Sequence, residues 1–236
     1  MNLLTNMKKR DSGFTLLELL IVIAIIAILS IALVFMLNPA ETLKKARDAQ
    51  RISDLKSVKT ALGIMLTASS TPRLDSTTGG ICTTDTVGAS QGASRRIAYS
   101  ASTAVTSNAT AGGLDIDGAF TTGGYTVAST DAGKVDGAGW IPVNLKALTG
   151  GTPISSFPVD PINTVTAAAT STDLVYRYGC QNLSTTKPSY IFEIDARLES
   201  NAYTVEDNKM ANDGGDNVSF YESGNSLNLL PTTSNF

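Results

Sequence analysis

One carboxylate inside an apolar run is the residue with the most evident chemistry in this chain. The segment "FTLLELLIVIAIIAILSIALVFML" runs from Phe14 to Leu37, and Glu18 is its only charged side chain. On insertion scales, a carboxylate near the centre of a membrane-spanning helix costs about 2.5–3.5 kcal/mol. A cation at the same depth would offset that cost, because opposite charges attract strongly where the dielectric is low. Glu18 is therefore a candidate for pairing with a cation; in the competing interpretation it lies at the membrane interface and reaches water.

The two cysteines, Cys82 and Cys180, are the only residues able to form a covalent cross-link of the chain. In a reducing compartment they would be two buried thiols, whereas outside the cytoplasm they would pair. A bridge that closes a loop of about 100 residues stabilises a fold by up to about 4.7 kcal/mol in the chain-entropy model.

A serine motif raises the question of catalysis. The stretch "GASQG" at Gly88–Gly92 matches the nucleophile-elbow pattern G-x-S-x-G. The chain contains no histidine, so a Ser-His-Asp relay cannot be built. The flanking residues do not read as strand and then helix, and we find no P-loop, Rossmann glycine pattern or His/Cys metal cluster. We therefore expect a protein that is not an enzyme.

An Asp/Asn-rich stretch near the C-terminus, "EDNKMANDGGDN" at residues 206–217, is a candidate calcium loop. Hard cations such as calcium take six to eight oxygen ligands, which such a loop can supply. The spacing is not that of an EF-hand, and a solvated Asn/Gly turn is the competing interpretation. The candidate ligands are Asp207, Asn212, Asp213 and Asp216.

The elements that position these residues begin with the apolar run itself. At 1.5 Å per residue, its roughly 24 residues make a helix of about 36 Å, enough to cross a hydrocarbon core of about 30 Å. The run is too long for the apolar core of a conventional secretory signal. The cationic cluster Lys8–Arg10 directly precedes the run and favours an orientation with the N-terminus in the cytoplasm and the C-terminus outside.

A second helical pattern follows the apolar run. Asn38, Pro39 and Glu41 resemble an N-cap, a first-turn proline and a capping-box acid, which predicts a new helix here. A continuous helix kinked at Pro39 is the alternative. Beyond this point, apolar residues recur at helical spacing and predict one buried face. They are Ile52, Leu55, Val58, Leu62 and Met65.

The rest of the chain divides by composition. Residues 69–139 are rich in Ser, Thr and Gly and predict an exposed, irregular connection with a few edge strands, such as "RRIAYS" and "YTVAS". Four later stretches are β-branched and aromatic: "GWIPVNL", "DLVYRYG", "SYIFEIDARL" and "NVSFYES". We expect these four to form an antiparallel sheet packed on the Ile52–Leu66 helix face.

The formal net charge of −3 conceals a split along the chain. From Arg73 onward there are nine basic and sixteen acidic residues, whereas Lys44–Lys59 contains six basic residues against two acidic ones. A basic patch confined to one helix is usually a solvated face, so this distribution does not indicate general nucleic-acid binding.

The N-terminal stretch "KKRDSG" followed by "FTLLELLIVIAIIAIL" resembles the class III leader of type IV prepilins and type II secretion pseudopilins. The resemblance implies that a prepilin peptidase cuts between Gly13 and Phe14 and N-methylates the new amine of Phe14. It also implies that Glu18 pairs with that amine in a neighbouring subunit. Further along, "SSFPVDPIN" and then "YRYG" resemble a Pro-x-Asp-Pro-x-Asn and Tyr-x-Tyr pattern found in many pilins of this kind.

The resemblance implies an α+β, pilin-like fold with a long N-terminal helix. The apolar half of that helix would protrude, and its C-terminal half would pack on an antiparallel β-sheet. We accordingly expect a removed leader (1–13), a transmembrane and filament-core helix (14–37), an amphipathic helix spine (38–68), a variable loop region (69–139) and a β-sheet head (140–236). A calcium loop near the C-terminus is also a feature of major pseudopilins.

The function implied is that of a structural subunit of a type IV pilus-like filament. The alternatives are a pseudopilin of a type II secretion or competence system, and a single-copy membrane-anchored binding module. The implied partners are copies of the chain, the prepilin peptidase, and a platform protein with its assembly ATPase. The resemblance does not decide whether DNA is also a partner. The chain would be a single-pass precursor in the cytoplasmic membrane and then an extracellular filament, where Cys82 and Cys180 would form a disulfide.

Overall fold

The structure is a computed structural model that describes residues 13–76, 80–82, 96–107, 113–116, 120 and 123–232. Its contacts divide the chain into two compact units, Met1–Leu43 and Lys44–Phe236. A helix α1, Leu16–Leu37, belongs to the first unit. A helix α2, Pro39–Ala68, begins in the first unit and continues into the second. The architecture is α+β and pilin-like, as expected from the sequence.

The junction between the two helices lies at Asn38, within the first unit. Asn38 adopts a left-handed conformation, with φ 37° and ψ 71°, and ends α1. Its side-chain Oδ1 and its carbonyl oxygen both accept from the backbone N–H of Glu41, at 3.4 and 3.0 Å. Pro39 needs no hydrogen-bond donor in the first turn of α2. The helical conformation is therefore interrupted at Asn38, and α2 begins at Pro39, as the N-cap pattern predicts.

The second unit is built around a four-stranded antiparallel sheet, ordered β1-β2-β3-β4 as in the chain. Cys180 of β2 pairs with Phe192 of β3, and Ile194 of β3 pairs with Ser223 of β4. The strands are β1 (Ala98–Tyr99), β2 (Tyr176–Gln181), β3 (Ile191–Ala196) and β4 (Tyr221–Gly224).

One face of α2 packs on this sheet, as predicted. Four of the five apolar residues expected on the buried face are buried, and they form one cluster with Tyr176, Tyr178, Phe192 and Ile194 of the sheet. The exception is Ile52, which is half-buried. Burying the side chain of a Leu, Val or Met gives about 1.5–3 kcal/mol each, so this contact is a main source of stability of the second unit.

Two strand predictions for the middle of the chain are wrong. The stretch "GWIPVNL" forms no strand: it is buried irregular backbone that ends in a short 3₁₀ helix, Leu145–Ala147. Pro142 lacks the backbone N–H that a sheet ladder requires. The side chain of Trp140 is held differently, because its indole N–H donates to the carbonyl of Pro158 at 2.8 Å. In "YTVAS", only Tyr125 forms an isolated bridge, to Ala98.

A third wrong expectation for the middle of the chain concerns exposure. Residues 69–139 were expected to be an exposed connection, yet their described part supplies buried apolar side chains to a second core cluster. Ser, Thr and Gly dominate the composition there and obscure a few well-placed apolar residues. These are Ile97, Tyr99, Val105, Ile116 and Phe120.

A buried ionic network fastens α2 to later segments of the second unit. Arg51 is fully buried and binds Asp160 through two nitrogens, at 2.7 and 3.1 Å, while its Nη1 donates to Asp48 and Glu199, both at 2.8 Å. Arg47 forms a second two-point contact with Glu199, at 2.7 and 2.8 Å. Buried charges are tolerated only when they are paired and hydrogen-bonded, and here each has several partners.

The network uses the aspartate of "FPVDPIN". Besides binding Arg51, Asp160 accepts from the backbone N–H groups of Ile162 and Asn163, at 2.9 and 3.2 Å. Its side chain therefore also stabilises the turn that begins at this residue. Asp48 accepts from the backbone N–H of Ser200 at 2.8 Å. One arginine thus ties the helix to two loops distant in sequence.

Candidate functional site

Helix α1 exposes an apolar surface along its whole length. None of its residues is buried, and its large side chains are about half to four-fifths exposed, from Ile21 at 48% to Met36 at 84%. A helix that is apolar on all sides requires a membrane or the apolar faces of other helices around it. Of the residues that the structure describes, one helical stretch is long and apolar enough to cross a membrane, and its apolar part is α1.

The single acidic residue of α1 caps its own helix. Glu18 Oε2 accepts from the backbone N–H of Thr15 at 2.8 Å and from the Thr15 hydroxyl at 2.9 Å. In return, Thr15 Oγ1 accepts from the backbone N–H of Glu18 at 3.3 Å. This reciprocal arrangement is a capping box, and it satisfies donors that the first turn of a helix leaves open.

The capping box fixes where the carboxylate lies. It holds Glu18 at the N-terminal end of α1, where the helix dipole favours negative charge. Glu18 forms no salt bridge among residues 13–76 or elsewhere in the described chain. The carboxylate is therefore positioned by Thr15 and can accept further donors from outside the chain.

Thr15 is the functional residue that sequence reasoning missed. The signal was present, because "TLLE" has the T-x-x-E spacing of a capping box just before an apolar helix. The unbroken apolar run from Phe14 obscures this spacing, because Thr15 and Glu18 both fall inside it.

The residues on either side of the predicted cleavage site directly precede this cap. Gly13 and Phe14 are both exposed, and the Phe14 side chain is 87% exposed. Gly13 has open space around its Cα, with no atom within 4 Å of an added Cβ. The basic cluster Lys8–Arg10 lies outside the described residues.

The predicted disulfide between Cys82 and Cys180 is present in the structure. It joins a loop that follows α2 to the C-terminal end of β2, and both cysteines belong to the core cluster that includes the buried face of α2. The bridge thereby connects the variable region to the sheet.

The candidate calcium loop is not assembled as a metal site. Within the described part of the chain, no group of three or more His, Cys, Asp or Glu side chains could hold a metal ion. Asp213 uses both carboxylate oxygens on backbone N–H groups, those of Gly215 and Glu222, at 2.9 and 2.7 Å. Asp207 pairs with Lys209 at 2.6 Å, and Asn212 donates to the Asp207 carbonyl. Asp216 is exposed. Asp207, Asn212 and Asp213 thus make contacts within the protein, and the geometry of the loop lends calcium binding no support.

Comparison with known proteins gives one match. Residues 8–34 match the family model described as the prokaryotic N-terminal methylation motif. No curated protein and no solved structure matches the chain. The match supports membership of the type IV pilin and pseudopilin family, with a class III prepilin leader. The motif indicates a prepilin-peptidase substrate of the pilin or pseudopilin type.

Proposed function

We propose that this chain is a pilin, the structural subunit of a type IV pilus-like filament. The observation that carries the proposal is that the methylation motif, residues 8–34, includes the start and most of a capped helix whose apolar side chains are all solvent-exposed. Such a surface needs an apolar environment twice, first in the membrane as a precursor and then in the core of a filament.

Processing would take place at the Gly13–Phe14 peptide bond. A prepilin peptidase hydrolyses this bond and methylates the new amine, so Phe14 becomes the first residue and carries a positive charge. The leader is removed and α1 is kept. The precursor would lie with its leader in the cytoplasm and its head outside, and a platform protein with its ATPase would extract it.

Glu18 would direct the axial register of the subunits. The amine of Phe14 is created one residue before Thr15, at nearly the depth of the Glu18 carboxylate. An amine from a neighbouring subunit could donate to Glu18 while Thr15 still holds the carboxylate in place, since an ionised carboxylate accepts about four hydrogen bonds. In an apolar core each charge would offset the desolvation cost of the other, and other registers would leave both unpaired.

Two other functions share part of this evidence. A pseudopilin of a secretion or competence system has the same leader and would assemble in the same way, so it differs from a pilin in the length and location of the filament. A single-copy membrane-anchored module would keep its leader and would not assemble.

The experiment that tests the proposal is N-terminal sequencing and intact-mass measurement of the protein from its native membrane and from sheared cell-surface material. We expect a chain that begins at N-methylated Phe14, in both fractions. A chain that retains residues 1–13 and is absent from the sheared fraction would contradict the proposal and favour the anchored module.

A further inference from the structure

The sheet of the second unit carries charged side chains on the face that points away from α2. The register brings them together: Arg177 of β2 is opposite Asp195 of β3, and Asp195 is opposite Glu222 of β4. Glu193 lies two residues before Asp195 in β3, so its side chain is on the same face. All four residues are buried, with Glu193 at 0% and Glu222 at 4% exposure. One arginine therefore faces three carboxyl groups inside the protein.

The C-terminal segment covers this charged face. Leu229 and Leu230 belong to the second core cluster, and a Cβ added to Gly179 of β2 would lie 2.7 Å from a methyl carbon of each. Their backbone N–H groups both donate to Glu193 Oε2, at 2.8 Å. Two donors on one carboxylate oxygen favour the ionised form of Glu193. Glu193 thus fastens the C-terminal segment to β3.

Glu222 makes a second connection to the same segment. Its Oε2 accepts from the backbone N–H of Asn217 at 3.0 Å, and the Asn217 side chain donates to the carbonyl of Pro231 at 3.3 Å. Gly215 packs against this carboxyl group, since an added Cβ there would collide with Oε2. The two glutamates therefore hold the C-terminal segment from two neighbouring strands.

The carboxyl groups of Glu193 and Glu222 lie within hydrogen-bonding distance of each other. Two ionised carboxylates form no such bond, because an ionised carboxylate only accepts. Glu193 Oε1 is buried, and nothing among the described residues donates to it. The guanidinium of Arg177 is engaged elsewhere, by Asp195 and by the Phe220 ring, whose centroid is 3.7 Å away. A proton on one of the two glutamates would satisfy both.

We propose that Glu222 stays protonated at neutral pH and donates this proton to Glu193 Oε1, so that one shared proton latches the C-terminal segment to the sheet. The inference concerns a single chain and does not depend on the proposed function. The proton leaves Glu193 ionised for the N–H groups of Leu229 and Leu230. Its loss would leave two buried carboxylates side by side, and their repulsion would favour opening of the segment.

The other charged groups around Glu222 are mostly acidic as well. Asp195 is opposite Glu222 in the sheet, and Asp213 accepts from its backbone N–H at 2.7 Å. The exposed Asp216 is within hydrogen-bonding distance of its carboxyl group, and Asp115 lies near Asp216. Negative charge on these neighbours disfavours a further negative charge, so they support proton uptake by Glu222.

The pKa of Glu222 gives the direction of the pH dependence. Burial first, and the neighbouring Glu193 second, raise this pKa from 4.5 to about 10. Between these pH values the closed form binds one proton more than the open form, so the closed form loses stability as the pH rises. One proton corresponds to about a tenfold change in the opening equilibrium for each pH unit. Alkaline conditions should therefore loosen the C-terminal segment.

The test is hydrogen exchange of the full-length chain in detergent, read at the backbone amides of Leu229 and Leu230. Protection factors are compared between about pH 5.5 and pH 8.5, because they are corrected for the pH dependence of exchange in an unfolded chain. In wild type, we expect protection to fall by about tenfold for each pH unit.

Two variants assign the effect to the shared proton. Glu222→Gln keeps the shape of the side chain and donates an amide N–H to Glu193 at every pH, so protection should change less than about threefold over the same range. Asp216→Asn is the matched control: it removes another acid beside Glu222 and should keep the wild-type pH dependence. Protection in wild type that does not change with pH would overturn the inference. The wild-type slope in Glu222→Gln, or its loss in Asp216→Asn, would also overturn it.

A second measurement detects the proton itself and does not need a variant that folds. Ordinary carboxyl groups are ionised at pH 7.5. The infrared spectrum of wild type at this pH should nevertheless contain a protonated-carboxyl band, which disappears above about pH 10. The band should be absent from Glu222→Gln. A wild-type spectrum without the band would contradict the proposal, and if EDTA also lowered the protection of Leu229 and Leu230, a cation rather than a proton would join the pair.

Discussion

Two charged groups of this chain, Arg51 in α2 and Glu18 in α1, are in opposite situations. Arg51 is fully buried and binds three carboxylates of its own chain, at 2.7 to 3.1 Å. Glu18 lies on an exposed helix, and its described partner is the neighbouring Thr15. The charge of Arg51 is paired within its own chain. Glu18 is held in position by its own chain, but its charge is not paired there.

The difference suggests what each charge is for. A charge with several partners within its own chain stabilises that chain and offers little to another molecule. A charge held by a single capping residue, on a surface that must be covered, can specify how the covering molecule is aligned. The pKa of Glu199 is consistent with such pairing inside the chain. The hydrogen bond from Arg47 lowers this pKa to about 2, although the burial of Glu199 acts to raise it.

The largest effect is expected from removing the carboxylate of α1. Glu18→Ala should leave membrane insertion and cleavage after Gly13 largely intact, because neither step needs the carboxylate. It should abolish filaments or reduce them severely, since the amine of Phe14 would have no partner in the core. The measurement is sheared filament per cellular subunit, with Lys187→Glu, a substitution of an exposed lysine in the second unit, as control. Normal filaments made from Glu18→Ala subunits would show that the carboxylate does not direct assembly.

A substitution in the buried network should affect the stability of the second unit. Arg51→Met should lower the free energy of unfolding of the second unit by about 3–5 kcal/mol, because it leaves buried carboxylates without their cation. Arg47→Met is the matched control, since Arg47 also binds Glu199 but is partly exposed; its loss of stability is expected to be clearly smaller. Both would be measured by urea unfolding of the full chain in detergent. Equal losses in the two variants would show that burial does not decide the energy.

Acid should weaken the network by a smaller amount. The pKa of Glu199 is lowered in the folded protein, so its stabilising effect is present above the unfolded pKa of about 4.5 and is lost as the pH falls towards 2. With solvent screening, the loss should be about 1–2 kcal/mol. Unfolding at pH 6 and at pH 3 would be compared between wild type and Glu199→Gln, and the pH effect should be smaller in the variant. An identical pH effect in both would exclude Glu199 as its source.

The smallest effect concerns the cap. Thr15→Val removes the hydroxyl that holds Glu18 and should weaken the first turn of α1 by about 1 kcal/mol. Filament yield should fall partially, and Thr15→Ser should restore it because serine keeps the hydroxyl. Cleavage after Gly13, followed by intact mass, serves as the readout that the cap should not change. If valine and serine behave alike, the cap plays no part in positioning the carboxylate.

The two regions also differ in how far they could be predicted from the sequence. The leader, α1 and the start of α2 at Pro39 depend on residues that are neighbours in the chain, and local patterns predicted them. Three of the four proposed strands from the C-terminal part, β2 to β4, were predicted from alternation. The network was not predicted, because Asp160 lies 109 positions after Arg51 in the chain and meets it only in the folded protein. "GWIPVNL" has the composition of a strand, but Pro142 and the buried indole of Trp140 favour irregular backbone there.

The central claim is that Glu18 of one subunit binds the Phe14 amine of another. The most direct test is a reconstruction of the native filament at side-chain resolution, with the distance measured between the Glu18 carboxylate oxygens and the nearest Phe14 nitrogen. We predict a distance within about 4 Å, to the nitrogen of a different subunit, with Thr15 still in contact with the same carboxylate. A Glu18 that contacts only its own Thr15, with every Phe14 amine far away, would contradict the account.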